Sequence, residues 1–186
     1  MFKIRQMDTN HFQDKTSVKN EIEINSVAYR FGIIAAFSAV FVSILLFILN
    51  YEFHGLLKWM PIIVFLIILL VAQKQIVKMN SSYAFSFGKL FKVGFIISII
   101  AAIGMLIYFN IYIQLINPDF ADKILEISRT EMAKKGLNDE QIEKGIEMTH
   151  KFISPTFMMV MSFISSILFG SITSAIGAAI FKNEKV

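Results

Sequence analysis

Three stretches of this chain carry no charged residue: Phe31 to Leu49, Val93 to Ile116 and Phe152 to Phe181. A helix rises about 1.5 Å per residue, so a hydrocarbon core about 30 Å thick takes roughly 20 residues, and each stretch reaches or approaches that length. All three read as transmembrane helices. A fourth run, from Leu56 through Trp59-Met60-Pro61 to Ala72, crosses only if the side chains of Lys58 and Lys74 reach opposite surfaces. Its Ile, Leu and Val content gives little reason to stop halfway, so it reads as a span, with a re-entrant or buried segment as the alternative. Composition agrees: 17% of the residues are charged, below the roughly one quarter of a soluble domain, and the excess apolar surface belongs in lipid.

The expected fold is all-α, an integral membrane four-helix bundle with spans near 29–50, 56–77, 90–116 and 154–181 inside one domain, 28–183. An extramembrane amphipathic helical hairpin, 117–152, is expected between helices 3 and 4. Residues 1–27 read as a polar, disordered cytoplasmic segment. The first span is expected to stay in the mature protein, because a mostly polar stretch precedes it and no small-residue cleavage site closes it.

Most of the 18 Lys and Arg residues fall on one side of these spans. Lys3, Arg5, Lys15, Lys19 and Arg30 precede the first; Lys74, Lys78, Lys89 and Lys92 flank the second connection without an acid; Lys182 and Lys185 follow the last. The other side mixes Lys58 and the hairpin's basic residues with Glu52 and the hairpin's acids. Both termini are therefore expected in the cytoplasm, with anionic headgroups explaining the basic surplus better than nucleic acid does. Lys89 and Lys92 are candidate anionic-lipid contacts, or simple topology determinants. Tyr29, Tyr51, Trp59, Tyr83, Tyr108 and Tyr112 lie near the expected interfaces as anchors.

Within 117–152, Asn117-Pro118 suits a helix start, Gly136 a helix stop, and Asn138 with Gln141 a capping box for a second helix. Asp119, Glu131, Glu140 and Glu147 each stand four residues before a Lys. Apolar positions share a face on each helix: Ala121, Ile124, Leu125 and Met132, then Ile142, Ile146, Phe152 and Ile153. Those faces pack on each other and on the membrane surface, or they form a docking surface for a partner.

The last span repeats small residues every four positions: Ser162, Ser166, Gly170, Ser174 and Ala178. Lipid offers no hydrophobic reason for helices to associate, so close backbone approach must supply the attraction, and such a stripe permits it. Ala28, Gly32 and Ala36, and Gly94, Ser98 and Ala102, offer shorter versions. The stripe serves packing inside the bundle or the interface of a homo-oligomer.

No catalytic residue, metal ligand set or cofactor motif stands out. There is no cysteine, which excludes disulfides and thiolate chemistry. His11, His54 and His150 lack metal-binding spacing, although His54, Glu52 and His150 share an expected surface. No ionisable residue lies mid-span, which disfavours a proton-coupled carrier. The amides Asn110 and Gln114 lie deep in the third span and read as groups that hydrogen-bond between helices.

The segment Phe85-Ser86-Phe87-Gly88-Lys89-Leu90-Phe91-Lys92-Val93-Gly94, followed by Asn117-Pro118-Asp119, the acidic hairpin and a Ser154-Pro155 entry into the last span, resembles the bacterial family called domain of unknown function 4199. The resemblance covers residues 28 to 185. It implies a four-helix bacterial inner-membrane protein and brings no catalytic residues. With membrane lipids as surroundings, the leading expectation is a non-enzymatic accessory or assembly partner of another envelope protein. The competing one is a small oligomeric transporter or lipid-handling protein with its path between protomers.

Overall fold

The structure, a computed structural model, describes residues 2–79 and 85–182, with side chains from Glu21 onward. Among these every regular element is a helix, the six α-helices being α1 (Phe2–Ile48), α2 (Met60–Met79), α3 (Phe87–Ile111), α4 (Phe120–Lys134), α5 (Asp139–Phe152) and α6 (Pro155–Phe181). Four segments are long and apolar enough to cross a membrane: Glu21–Ile48, Leu57–Met79, Phe87–Ile116 and Pro155–Phe181. By these segments the chain is a multi-pass membrane protein, and the run after Leu56 takes its place as a full-length helix.

Where residues 1–27 read from the sequence as a disordered segment, the described backbone is helical from Phe2 and runs without a break into the first span. The physical reason is local: neither Pro nor Gly occurs before Gly32, so nothing stops a helix propagating back from the span once nucleated. At its other end α1 stops where Asn50 turns left-handed at φ 58°. The Asn50 N–H reaches the Phe47 carbonyl at 3.0 Å and the Tyr51 N–H the Leu46 carbonyl at 2.8 Å, a two-bond termination that satisfies the last carbonyls.

Large apolar side chains form the outside of the bundle. Phe37, Phe41, Ile107, Leu168 and Ile172 are each more than half exposed, an arrangement water would penalise and lipid does not. Inside, α2 and α3 each pack against both α1 and α6, and the most extensive contact is α3 on α6. The core of Ala28, Ala35, Leu69, Ala72, Ile76, Leu90, Val93, Ile97 and Ala178 lies mostly toward the end of the bundle that carries the termini.

That end closes through paired small residues. A Cβ on Gly94 of α3 would collide with Ser174 of α6, and one on Gly170 of α6 would collide with Ser98 of α3. Each helix thus offers a glycine to the other's serine, and the two backbones meet at the spacing this allows. The Ser98 hydroxyl donates to the Gly94 carbonyl at 2.7 Å, and the Ser174 hydroxyl donates to the Phe91 carbonyl at 2.9 Å.

Gln73 of α2 enters the same junction, fully buried. Its Nε2 donates to the carbonyls of Leu90 and Ser174, both at 3.0 Å, and lies 3.2 Å from the Ser174 hydroxyl. One amide therefore ties three helices together. Its Oε1 has no hydrogen-bond partner among the described residues and sits over Gly177, where any side chain would strike it. The Cα–H of that glycine is the weak donor left to it.

The hairpin follows its local sequence rules. Gly136, at φ 78°, ends α4, with the Leu137 N–H bonded to the Met132 carbonyl at 3.3 Å. Asn138 and Gln141 cap α5 reciprocally, a device worth about 1 kcal/mol. Met132 lies against Gly145, which has no side chain to hold α4 and α5 apart. Ile142 and Ile153 are buried, whereas Phe152, expected on the same face, is 55% exposed and packs beside Phe157 of α6. Of the expected i,i+4 pairs, Glu140–Lys144 forms at 2.7 Å, while Glu131 takes Lys134 at 3.0 Å instead of Lys135. The Lys134 ammonium, by hydrogen bond and by charge, holds the Glu131 carboxyl below the usual carboxylate range.

Candidate functional site

The half of the bundle nearer the hairpin encloses space. A cavity of about 560 Å³ lies between α1, α2, α3 and α6 and opens beside the start of α4. Its floor is set by Ala39, Phe65, Ala101 and Phe169. Phe65 also approaches Gly170, so the cavity ends where the glycine–serine junction begins. Ser43, Met105, Ser162, Ser165 and Ser166 form its walls. The Ser43 and Ser166 hydroxyls donate to the carbonyls four residues back, at 2.9 and 2.8 Å. Back-bonding of this kind spends a hydroxyl on its own helix, so these serines present small and nearly apolar walls.

The mouth is polar and aromatic. One π-helical turn, Tyr112–Ile116, ends the third span and brings the Asn117 N–H to the Tyr112 carbonyl at 2.7 Å. The same turn lets the Asn117 Nδ2 donate to the Tyr112 hydroxyl at 2.7 Å, while that hydroxyl donates to the Glu52 carboxylate. Asn117 Nδ2 also reaches Glu52 at 3.5 Å, and Lys123 of α4 donates to the Asn117 Oδ1 at 2.9 Å. Phe120, the first residue of α4, meets Tyr112 and Phe109 edge to face and stacks on Phe53. The hairpin is thereby planted at the rim. Lys58 and Trp59 complete the mouth, with the Lys58 ammonium 5.7 Å from the Trp59 ring centre.

The residues singled out from the sequence fall in different places. Gly170, Ser174 and Ala178 are buried inside one chain, whereas Ser162 and Ser166 line the cavity. The cavity lies between the helices of one chain. Lys89 and Lys92 are exposed in the first two turns of α3. Asn110 donates to the Met159 sulfur at 3.3 Å and accepts from Gln114 at 3.1 Å, which joins α3 to α6 away from the cavity lining. Among the described residues no group of three His, Asp or Glu side chains could hold a metal; Glu52 is engaged by Tyr112, His54 lies edge-on to Tyr51, and the His11 side chain lies outside the described ones.

Sequence reasoning missed Gln73 and the Glu52–Tyr112–Asn117 group. Gln73 falls four residues after Leu69 and three before Ile76, so helical period alone puts it on the buried face. For the second group the sequence holds no comparable signal, because residues 52 and 112 meet only through tertiary structure.

Helices this apolar, closed at one end and hollow at the other, define an all-α multi-pass membrane protein with an internal cavity. Residues 30–183 match the family described as Protein of unknown function (DUF4199), and the chain belongs to that family. No curated protein and no solved structure matches it.

Proposed function

We propose that this protein handles lipid, seating one amphiphile with its tail in the cavity and its head at the mouth. The observation that carries this is the cavity's extent. Ala101 at the floor and Tyr112 at the mouth both lie on the third span, and at 1.5 Å per residue they stand about 16 Å apart, close to half of a hydrocarbon core of about 30 Å. A site one leaflet deep, apolar below and polar at the rim, suits a lipid better than a water-soluble solute. The basic residues before α1, around the second connection and after α6 support an orientation in the bacterial inner membrane with both termini in the cytoplasm. The mouth then opens toward the outer leaflet. Because the chain has no cysteine, single cysteines placed at Ser26 and at Ser128 read the orientation directly: an impermeant maleimide added to intact cells should label only Ser128→Cys.

The lipid-handling reading is tested by cross-linking with a phospholipid carrying a photoactivatable group at the tail end. Labelling at Met105 and Phe169 should saturate and should fall in Ser166→Phe, which fills the wall. Labelling confined to Phe37 and Phe41 on the lipid-facing surface, rising without saturation, overturns it. A second reading, an accessory partner of another envelope protein, draws on the hairpin, where Ile127, Met148 and Phe152 remain exposed. Cross-linking from Met148 in native membranes tests it: a single recurrent partner supports it, and only lipid adducts count against it.

A further inference from the structure

We infer that the lipid seated here carries a primary ammonium beside a phosphate, the head-group chemistry of phosphatidylethanolamine, with the ammonium on Glu52 and the phosphate on Lys58. The inference rests on the lipid-handling reading and adds the class of head group.

Glu52 is half-buried at the mouth and, among the described residues, receives hydrogen bonds only from neutral donors, the Tyr112 hydroxyl and the Asn117 amide. Among the described residues it forms no ion pair. The cation nearest in this chain of bonds, Lys123, is spent on the Asn117 Oδ1. That leaves an oriented carboxylate partly withdrawn from water and without a counter-charge, a situation that favours any ligand able to bring one. The walls around it strengthen the preference, since Phe53, Tyr108, Phe109, Tyr112 and Phe120 all line the cavity and aromatic faces attract cations.

A primary ammonium fits better than a quaternary one. Its N–H groups can donate to the carboxylate oxygens, and charge-assisted bonds of that kind are the stronger sort. A trimethylated head can contact the rings but cannot donate. An anionic head such as a glycerol phosphate brings a second negative charge to Glu52 and is disfavoured. The phosphate of the favoured lipid needs its own partner, and Lys58 lines the same mouth while remaining exposed. Resting over the Trp59 ring, its ammonium makes no ion pair in the described residues that a phosphate would have to displace.

The experiment is native mass spectrometry of the full chain in mild detergent with phosphatidylethanolamine, phosphatidylcholine and phosphatidylglycerol of identical acyl chains, added singly and in equal mixture. The unaltered chain should retain one phosphatidylethanolamine and prefer it to phosphatidylglycerol by about tenfold. Glu52→Gln, which can still accept from Tyr112, should erase that preference, and Lys58→Ala should weaken all three phospholipids while sparing a long-chain alkylamine. Equal retention of the three lipids by the unaltered chain, a measurement that needs no variant, overturns the head-group inference and leaves the lipid-handling reading standing. Retention of none overturns both.

Discussion

The two halves of the bundle use the same stripe of small residues to opposite ends. Toward the termini, Gly170 and Ser174 of α6 meet Ser98 and Gly94 of α3, and the helices close on each other and on Gln73. Toward the hairpin, Ser162 and Ser166 continue the stripe, but the third span now offers Met105, Tyr108 and Tyr112, and the helices enclose space. A small residue creates contact only where the facing helix supplies something shaped to fill it; elsewhere it creates volume. In lipid, where burial gives helices no reason to close up, such volume is not squeezed out by the hydrophobic effect.

The contrast predicts that substitutions are costly in the closed half and tolerated in the open one. The largest effect should come from Gln73→Glu, which replaces the amide that donates to the Leu90 and Ser174 carbonyls by a buried acid. Unfolding in mixed micelles should show a loss of about 3 kcal/mol or more, whereas Gln73→Leu, which adds no charge, should lose far less. A change in Gln73→Glu as small as that of Gln73→Leu would mean that this half is wetter than the burial of Gln73 implies. Next comes Gly170→Leu, which drives a side chain into Ser98 and should cost about 1–3 kcal/mol in the same assay. Ser162→Phe lies on the same stripe but faces the cavity, and should stay within about 0.5 kcal/mol while abolishing tail-end photolabelling of Met105. If it destabilises as much as Gly170→Leu, the two halves are not different in kind.

The smallest effect lies outside the membrane. Because the Glu131 carboxyl is held below its usual range by Lys134, its contribution to α4 is present above the ordinary glutamate range and is lost as pH falls through the lowered value. Amide exchange in the last turn of α4 should therefore speed up slightly on acidification below pH about 4, and Glu131→Gln should remove that dependence.

How far the sequence reveals this follows from the range of each interaction. The spans are readable because a charge-free run of sufficient length has few alternatives, and the caps at Gly136 and Asn138 because each acts within a few residues. Gln73 obeys the helical period too, but it begins the polar group Gln73-Lys74-Gln75, which reads as the exit of a span and hides a buried amide. The cavity depends on what two helices distant in sequence place opposite each other. The stripe on α6 is visible without any sign that α3 answers only part of it.

That answer has a consequence for the order of assembly. In the antiparallel pairing of α3 and α6, Gly94 faces Ser174 and Ser98 faces Gly170. Sliding α6 by one turn in one direction sets Gly94 against Gly170, and in the other Ser98 against Ser174, so a void or a clash replaces the fit either way. The pair behaves as a key with one working depth. Since α6 leaves the ribosome after α3, it can find its height in the bilayer against a partner already made, and the depth of the cavity is set at the moment that helix arrives.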